Sequence, residues 1–520
     1  MTGLGASPMR FFLVILAAVL LPSAARAEWF EASSAHFVVY ADDSERDVRK
    51  FSEQLERFHA AMEIVTGLEV QAPSRSNRVT VFVVRSYRQF GRLTGDRNIG
   101  GFYSPRAGSS VAFVPRIEVR TGQPDFSMIA LLHEYAHHFL LSNSSFPSPR
   151  WFGEGGAEFF ASTEFDADGG LGIGMPAQHR GPELLMAHNV RAADLVDSAY
   201  TWRPKSNDSF YGKSWLLYHY LVFSPERSGQ LRGYLAALAG GKSSLEAAQA
   251  TFGDLGKLER DLQKYLDQRT MLSMRFRADQ LEIAPITLRR LSAGEGEMMP
   301  VRIISKRGVD REQALELLDD ARKVAARFPG EAPVLAALAE AEYDAGNDAE
   351  AIAAADAALA LDPSQVNAYV QKGYALFRRA AEAEAEDKVA AYRAAVEPFV
   401  ALNKLENDHP LPLIYYFRSF AESGRRPSAT AVQGLERAAE LAPFDLYLRL
   451  SLATQQLQDG RTEQARANFL PIAYNPHGGP LSEAVRAVVD RLDHGTPPDE
   501  RELAQILGST AAAEPEAGKE

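Results

Sequence analysis

Two histidines one helical turn apart, His133 and His137, stand with a carboxylate, Glu134, inside one of the most apolar stretches of this chain. The run Ser127-Met128-Ile129-Ala130-Leu131-Leu132 precedes them and Phe139-Leu140-Leu141 follows, so the segment reads as a helix with Ser127 or Asp125 as N-cap. Residues i and i+4 of a helix share a face, and His133 and His137 can therefore hold one metal ion together. Zinc accepts nitrogen at that spacing, and a catalytic zinc site adds a third protein ligand while leaving a position for water. Glu134 lies beside the same face, placed to take a proton from an activated water. The alternative is a pair of satisfied core histidines. Either way, polar groups in so apolar a helix need partners.

A polar break, Ser142-Asn143-Ser144-Ser145-Phe146-Pro147-Ser148-Pro149, separates this helix from Trp151-Phe152-Gly153-Glu154-Gly155-Gly156-Ala157-Glu158-Phe159-Phe160. The break suits a helical hairpin that brings the second helix back along the first. Gly153, Gly155 and Gly156 are poor helix formers, and their use implies a close approach to the metal helix. Glu154 then reaches the metal as third ligand, and Glu158, one turn on, accepts from a ligating histidine and fixes its tautomer. An exposed carboxylate pair on a surface helix is the competing reading.

His133-Glu134-x-x-His137 followed by Trp151-Phe152-x-Glu154-Gly155 resembles the gluzincin metallopeptidases, the clan of thermolysin and the zinc aminopeptidases. The resemblance implies zinc held by His133, His137 and Glu154, with Glu134 as general base. It covers about a fifth of the chain. Sixteen residues separate His137 from Glu154, slightly fewer than in those two branches, a difference that falls in the connecting turn. Phe210-Tyr211-Gly212-Lys213-Ser214-Trp215 is similar to the Tyr-x-Lys-Gly segment of the aminopeptidase branch, with Ser214 in place of the glycine. There the tyrosine steadies the oxyanion, a role that suits a phenol protonated at neutral pH. Tyr211 is thus either an oxyanion donor or an aromatic packing residue at a helix start. His138 is turned about 100° from the ligand face and reads as structural or supporting. His179, His188 and His219 read as ordinary core or surface histidines.

The remaining sequence sets the frame. A chain of 520 residues with 46% hydrophobic composition builds two or more cores. Its formal net charge of −12, without a basic tract in the mature chain, argues against nucleic acid as a main partner. Arg10, the apolar run Phe11 to Leu21 and Ala25-Arg26-Ala27 form a secretory signal over residues 1–27, too short for a comfortable membrane span. With no cysteine there are no disulfides or thiolate ligands. The expected location is the bacterial periplasm or exterior, without a stable membrane span once the signal is cleaved.

Residues 28–276 read as the metallopeptidase domain. Strands are expected at His36–Tyr40, Arg78–Val84 and Ser110–Pro115, with an amphipathic helix at Asp43–Thr66. Gly100 to Gly108 reads as a hairpin, and Val111 to Phe113 as either a substrate-side edge strand or an interior strand. Residues from Ser209 on are helical, ending in a helix from Leu255 to Met274. A connecting module at 277–308 carries strand patterns at Ile286–Arg289 and Val301–Ile304 around a Gly-Glu-Gly turn.

Residues 309–493 read as a repeat. Prolines at 329, 363, 410, 443 and 476 are spaced by 34, 47, 33 and 33 residues. Between Pro329 and Pro363, Leu338-Ala339, Tyr343, Gly346, Ala351 and Ala358 resemble the tetratricopeptide pattern. The long interval contains Ala380 to Glu386, read as a lengthened helix. Residues 494–520 read as a disordered tail. The expected architecture is α+β: a gluzincin-like domain followed by an all-α tetratricopeptide solenoid. The expected function is zinc-dependent hydrolysis of a peptide or protein substrate, with the repeats binding a protein partner. The competing expectation is an inactive or non-peptidase periplasmic scaffold led by the repeats.

Overall fold

The structure, a computed structural model, describes residues 28–68, 70–84, 87–94, 101–117, 121–142, 149–197, 208–475 and 479–511. The leader expected at 1–27 and the polar break at 143–148 lie outside them. The first half runs β1 (Trp29–Ser33), β2 (Phe37–Asp42), α1 (Glu45–Thr66), β3 (Val79–Val83), α2 (Tyr87–Thr94), β4 (Phe102–Ser104), β5 (Val111–Val114), α3 (Phe126–Ser142) and α4 (Arg150–Ala161). Then follow β6 (Thr163–Phe165), β7 (Leu171–Ile173), α5 (Gly181–Met186), α6 (Ala192–Val196), α7 (Phe210–Phe223), α8 (Gln230–Ala239), α9 (Ser244–Phe252), α10 (Leu255–Leu266), β8 (Met274–Phe276) and β9 (Thr287–Arg290).

Six strands form one sheet in the order β4-β5-β3-β2-β1-β9. β2, β3 and β5 are parallel, while β4 runs antiparallel to β5 at the border. Alternation along the central strands explains the layers. Val79, Val81, Val83, Ala112 and Val114 point into a core shared with α1, α3 and α4. Phe82, Val84, Val111 and Phe113 point the other way, onto Phe90 and Leu93 of α2 and onto Met299 and Ile303 further along the chain. Both faces are buried, which is why these strands read as continuous apolar runs. Val111 to Phe113 is therefore an interior strand and not the edge. The edge is β4.

Three further expectations change. Val301–Ile304 is not a strand but part of α11 (Ala293–Arg307), which opens at the Gly-Glu-Gly segment with a Ser292–Glu295 capping box. Its apolar residues serve two cores, Met299 and Ile303 against the sheet and Met298 and Val301 against the next helix. The helix expected over Leu255 to Met274 stops at Leu266, and Met274 instead starts β8. The connecting module is thus no linker: β9 adds to the sheet beside β1, and α11 covers its second face.

From α11 onward the chain is a succession of helical hairpins. α11 pairs with α12 (Arg311–Arg327), α13 (Ala332–Asp344) with α14 (Asp348–Leu361), and α15 (Val366–Ala381) with α16 (Lys388–Leu405). α17 (Pro410–Ala421) pairs with α18 (Ala429–Leu441), α19 (Leu446–Gln458) with α20 (Thr462–Ala473), and α21 (Pro480–Asp493) with α22 (Glu500–Ala511). Buried alanines such as Ala336, Ala339, Ala355 and Ala358 let neighbouring helices approach closely. Ala380 to Glu386 is not one lengthened helix, since α15 ends at Ala381 and a turn follows. The extra length is shared by α15, the turn at 382–387, α16 of 18 residues and the segment before Pro410. The tail expected to be disordered from 494 contains α22, whose Leu503 is buried against the last hairpins.

Candidate metal centre

The metal helix forms as its sequence dictates: Asp125 Oδ1 accepts the Met128 N–H at 3.0 Å and caps α3. His133 and His137 then fall on one face, with their Nε2 atoms 3.1 Å apart. α4 is buried along its length from Trp151 to Ala161. Its glycines allow that, although their partner differs from expectation. A Cβ on Gly155 would lie 2.5 Å from the Ser214 carbonyl oxygen of α7, so the tightest approach is to α7, while Gly156 sits between Leu140 of α3 and Tyr218.

This packing delivers the fully buried Glu154 to the histidines. Its Oε2 lies 3.3 Å from His133 Nε2 and 3.3 Å from His137 Nε2. A hydrogen bond serves one pair of atoms along a line. Three donor atoms at nearly equal mutual distances are what one central cation requires. The edge of a tetrahedron with metal–ligand bonds near 2.0–2.1 Å is about 3.3–3.4 Å, so the two nitrogens and the oxygen fit zinc. Among the described residues the group consists of His133, His137 and Glu154, which matches a site that keeps a position open. Glu134, half-buried, follows His133 on α3.

Glu158 meets the His133 ring at its other nitrogen. Its Oε1 takes His133 Nδ1 at 3.2 Å and Arg180 at 2.5 Å, and its Oε2 takes His179 Nε2 at 2.7 Å. Burial alone would raise its pKa, but the hydrogen bonds from His133 and His179 and the charge of Arg180 hold it well below the ordinary carboxylate range. His133 shows the reciprocal effect. Burial would lower it, yet Glu154 and Glu158 push it up to about 10 in the absence of metal. The ring thus carries a proton that a bound metal would displace from Nε2.

His179 is no ordinary histidine, then, and Arg180 was not distinguishable in sequence. Both lie on a short turn, Gln178–Arg180, more than twenty residues from Glu158 and in no spacing that marks them. His138, His188 and His219 do not belong to the ligand group. His219 is buried, with Nδ1 on the Tyr265 hydroxyl at 2.8 Å and Nε2 on the Gly174 carbonyl at 2.9 Å. His188 is exposed, and its backbone bridges to Asp208. His138, pushed down to about 3 by burial, accepts from the Tyr103 hydroxyl at 2.5 Å.

Tyr211 lies in the first turn of α7, with Arg180 over its ring at 4.8 Å and Arg150 3.4 Å from its hydroxyl. Burial first, then the charge of Glu154, push its pKa up to about 12, so the phenol remains a donor at neutral pH.

No family model matches this chain. No curated protein matches it either. Solved structures do. A thermophilic TPR protein from Thermus thermophilus is 17% identical over 39% of this chain and 100% of its own, with a TM-score of 0.32. Pseudomonas aeruginosa pilF is 14% identical over 43% of this chain and 100% of its own, with a TM-score of 0.31. Yeast Tom70 is 14% identical over 64% of this chain and 70% of its own, with a TM-score of 0.28. At these scores the likenesses have no bearing on the metal centre, and the helical hairpins rest on the chain's own backbone.

Proposed function

We propose that this chain is an exported zinc metallopeptidase of gluzincin type, with His133, His137 and Glu154 holding the metal. The observation that carries this reading is the near-equilateral triangle of two imidazole nitrogens and one buried carboxylate oxygen, with Glu134 directly after His133 on α3. Bound zinc would supply a Lewis acid for the scissile carbonyl and an acidified water. Glu134 accepts the proton of the attacking water and passes it to the leaving amine. Glu158 fixes His133 with Nδ1 protonated and Nε2 facing the metal. Tyr211, a neutral donor, steadies the oxygen on which negative charge develops. The test is zinc content after reconstitution. About one zinc per chain is expected for the wild type and a marked loss for Glu154→Ala, whereas a wild type that takes up no zinc would end the reading.

A second reading, a non-peptidase scaffold led by the repeats, is favoured by the share of the chain given to helical hairpins, from Ala293 to Ala511. Such arrays bind protein segments on their inner surface, and a protein partner is part of both readings. The three-residue ligand set with an adjacent Glu134 favours turnover over a closed structural site.

A further inference from the structure

The turn between β4 and β5 is not a free hairpin tip. Its Ala107 N–H donates to Asp445 Oδ2 at 2.8 Å, just before α19, and the buried Ala107 joins the apolar cluster of Phe417, Leu435 and Phe444. Gly108, at φ 80°, leaves no room for a side chain, since a Cβ would lie 2.7 Å from His409 and 2.9 Å from Leu411. The neighbouring loop is clasped as well. Ser76 donates through N and Oγ to the two oxygens of Glu406, each at 2.8 Å, and Asn77 Nδ2 donates to the Leu441 carbonyl at 2.7 Å. Asn77 Oδ1 in turn accepts the Gly108 N–H at 2.9 Å, tying loop and turn together.

These contacts reach the metal helix. The Phe444 ring packs on His138 at 4.3 Å, and His138 accepts from Tyr103 in the middle of β4. Gly101, before β4, has only van der Waals room against Ala130 and Leu131, one turn ahead of Glu134. β4 itself spans three residues and is paired with β5 on one side alone. So short a border strand has few bonds of its own to hold it. Its other side pairs with no strand among the described residues and is where an extended chain adds by backbone hydrogen bonding.

We infer that the repeat array acts in cis as the clamp that sets the edge strand β4 beside the metal helix, so that the array positions an extended peptide substrate without touching the metal. The substrate part rests on the peptidase reading above; the clamp does not. Glu406, Phe444 and Asp445 are positioning residues in this scheme.

Asp445→Asn is the sharpest variant. Asp445 Oδ1 caps α19 by accepting from Tyr447 N and Leu448 N, each at 3.0 Å, and Asn retains that acceptor while turning an NH2 toward the Ala107 N–H. Hydrogen exchange across 101–114 should accelerate about tenfold or more, with exchange in α19 and zinc content unchanged. For an extended peptide, KM should rise about tenfold with kcat within about twofold. Exchange at the wild-type rate would overturn the clamp, and faster exchange with an unchanged KM would overturn its role in substrate positioning. Should α19 itself loosen, Phe444→Leu, which keeps the apolar filling but loses the ring on His138, gives the same readouts and decides in the same way. A wild type with zinc but without hydrolysis would fail the peptidase reading alone, and the exchange rates would still decide the clamp.

Discussion

Glu158 gathers His133, His179 and Arg180 around one buried carboxylate, and through His133 it reaches the proposed metal position. A ligand histidine without such a partner is free to rotate and to change tautomer. Glu158→Gln should therefore lower zinc affinity by about 10- to 100-fold while the fold persists, read by chelator competition and by melting. Unchanged affinity would make the cluster purely structural. Tyr211→Phe should lower kcat by about 100-fold or more with little change in KM, because the hydroxyl acts on charge that develops in the transition state. With its pKa pushed up to about 12, Tyr211 should add no titration to the rate profile below about pH 11. At this scale the i, i+4 spacing put His133 and His137 on one face and the hairpin reading brought Glu154 to them, although the glycine Gly155 serves the approach to α7. His179 and Arg180 were not, because a contact made by a separate turn leaves no periodic mark.

Among elements, the central strands and α1, α3, α4 and α7 follow their sequence patterns closely, since each has a long apolar or aromatic run or a cap. α11 does not, because a helix that serves two cores at once carries Val and Ile in positions that read locally as strand. The α4–α7 contact gives a direct test of packing. Gly155→Ala should destabilise by about 1–3 kcal/mol, since the added methyl meets the Ser214 carbonyl, a backbone group that cannot turn aside. In the array, Asp344 at the end of α13 is pushed up to about 7 by burial and by the nearby Glu340. Unfolding returns it to its ordinary value of 3.8, so the folded chain holds more protons between these two values and stability falls as pH rises through that window. Asp344→Asn should accordingly raise the melting temperature at pH 8, by about 1 kcal/mol or more in stability, and change little near pH 4. A gain of equal size at both pH values would contradict that origin.

For the whole molecule, the boundary that the repeat pattern suggests at residue 309 cuts a hairpin in two. Met298 and Val301 of α11 share a core with Leu317 and Ala321 of α12, so a fragment starting at 309 exposes that core, whereas one starting at Ser292 keeps it. Thermal melts should show the longer fragment as the more stable by a wide margin, and equal melting would mean that α11 belongs to the sheet alone. The repeat period was readable as a period, but its docking on the β4–β5 turn was not, because Glu406, Leu441 and Asp445 carry no sequence signal for a partner more than 300 residues away. The central claim, that Glu134 moves protons at a metal held by His133, His137 and Glu154, is tested most directly by one paired measurement. Zinc content and digestion of a peptide library are compared for the wild type and Glu134→Gln. Equal zinc, about one per chain, with cleavage in the wild type alone is the predicted result. Cleavage by Glu134→Gln at the wild-type rate would contradict it.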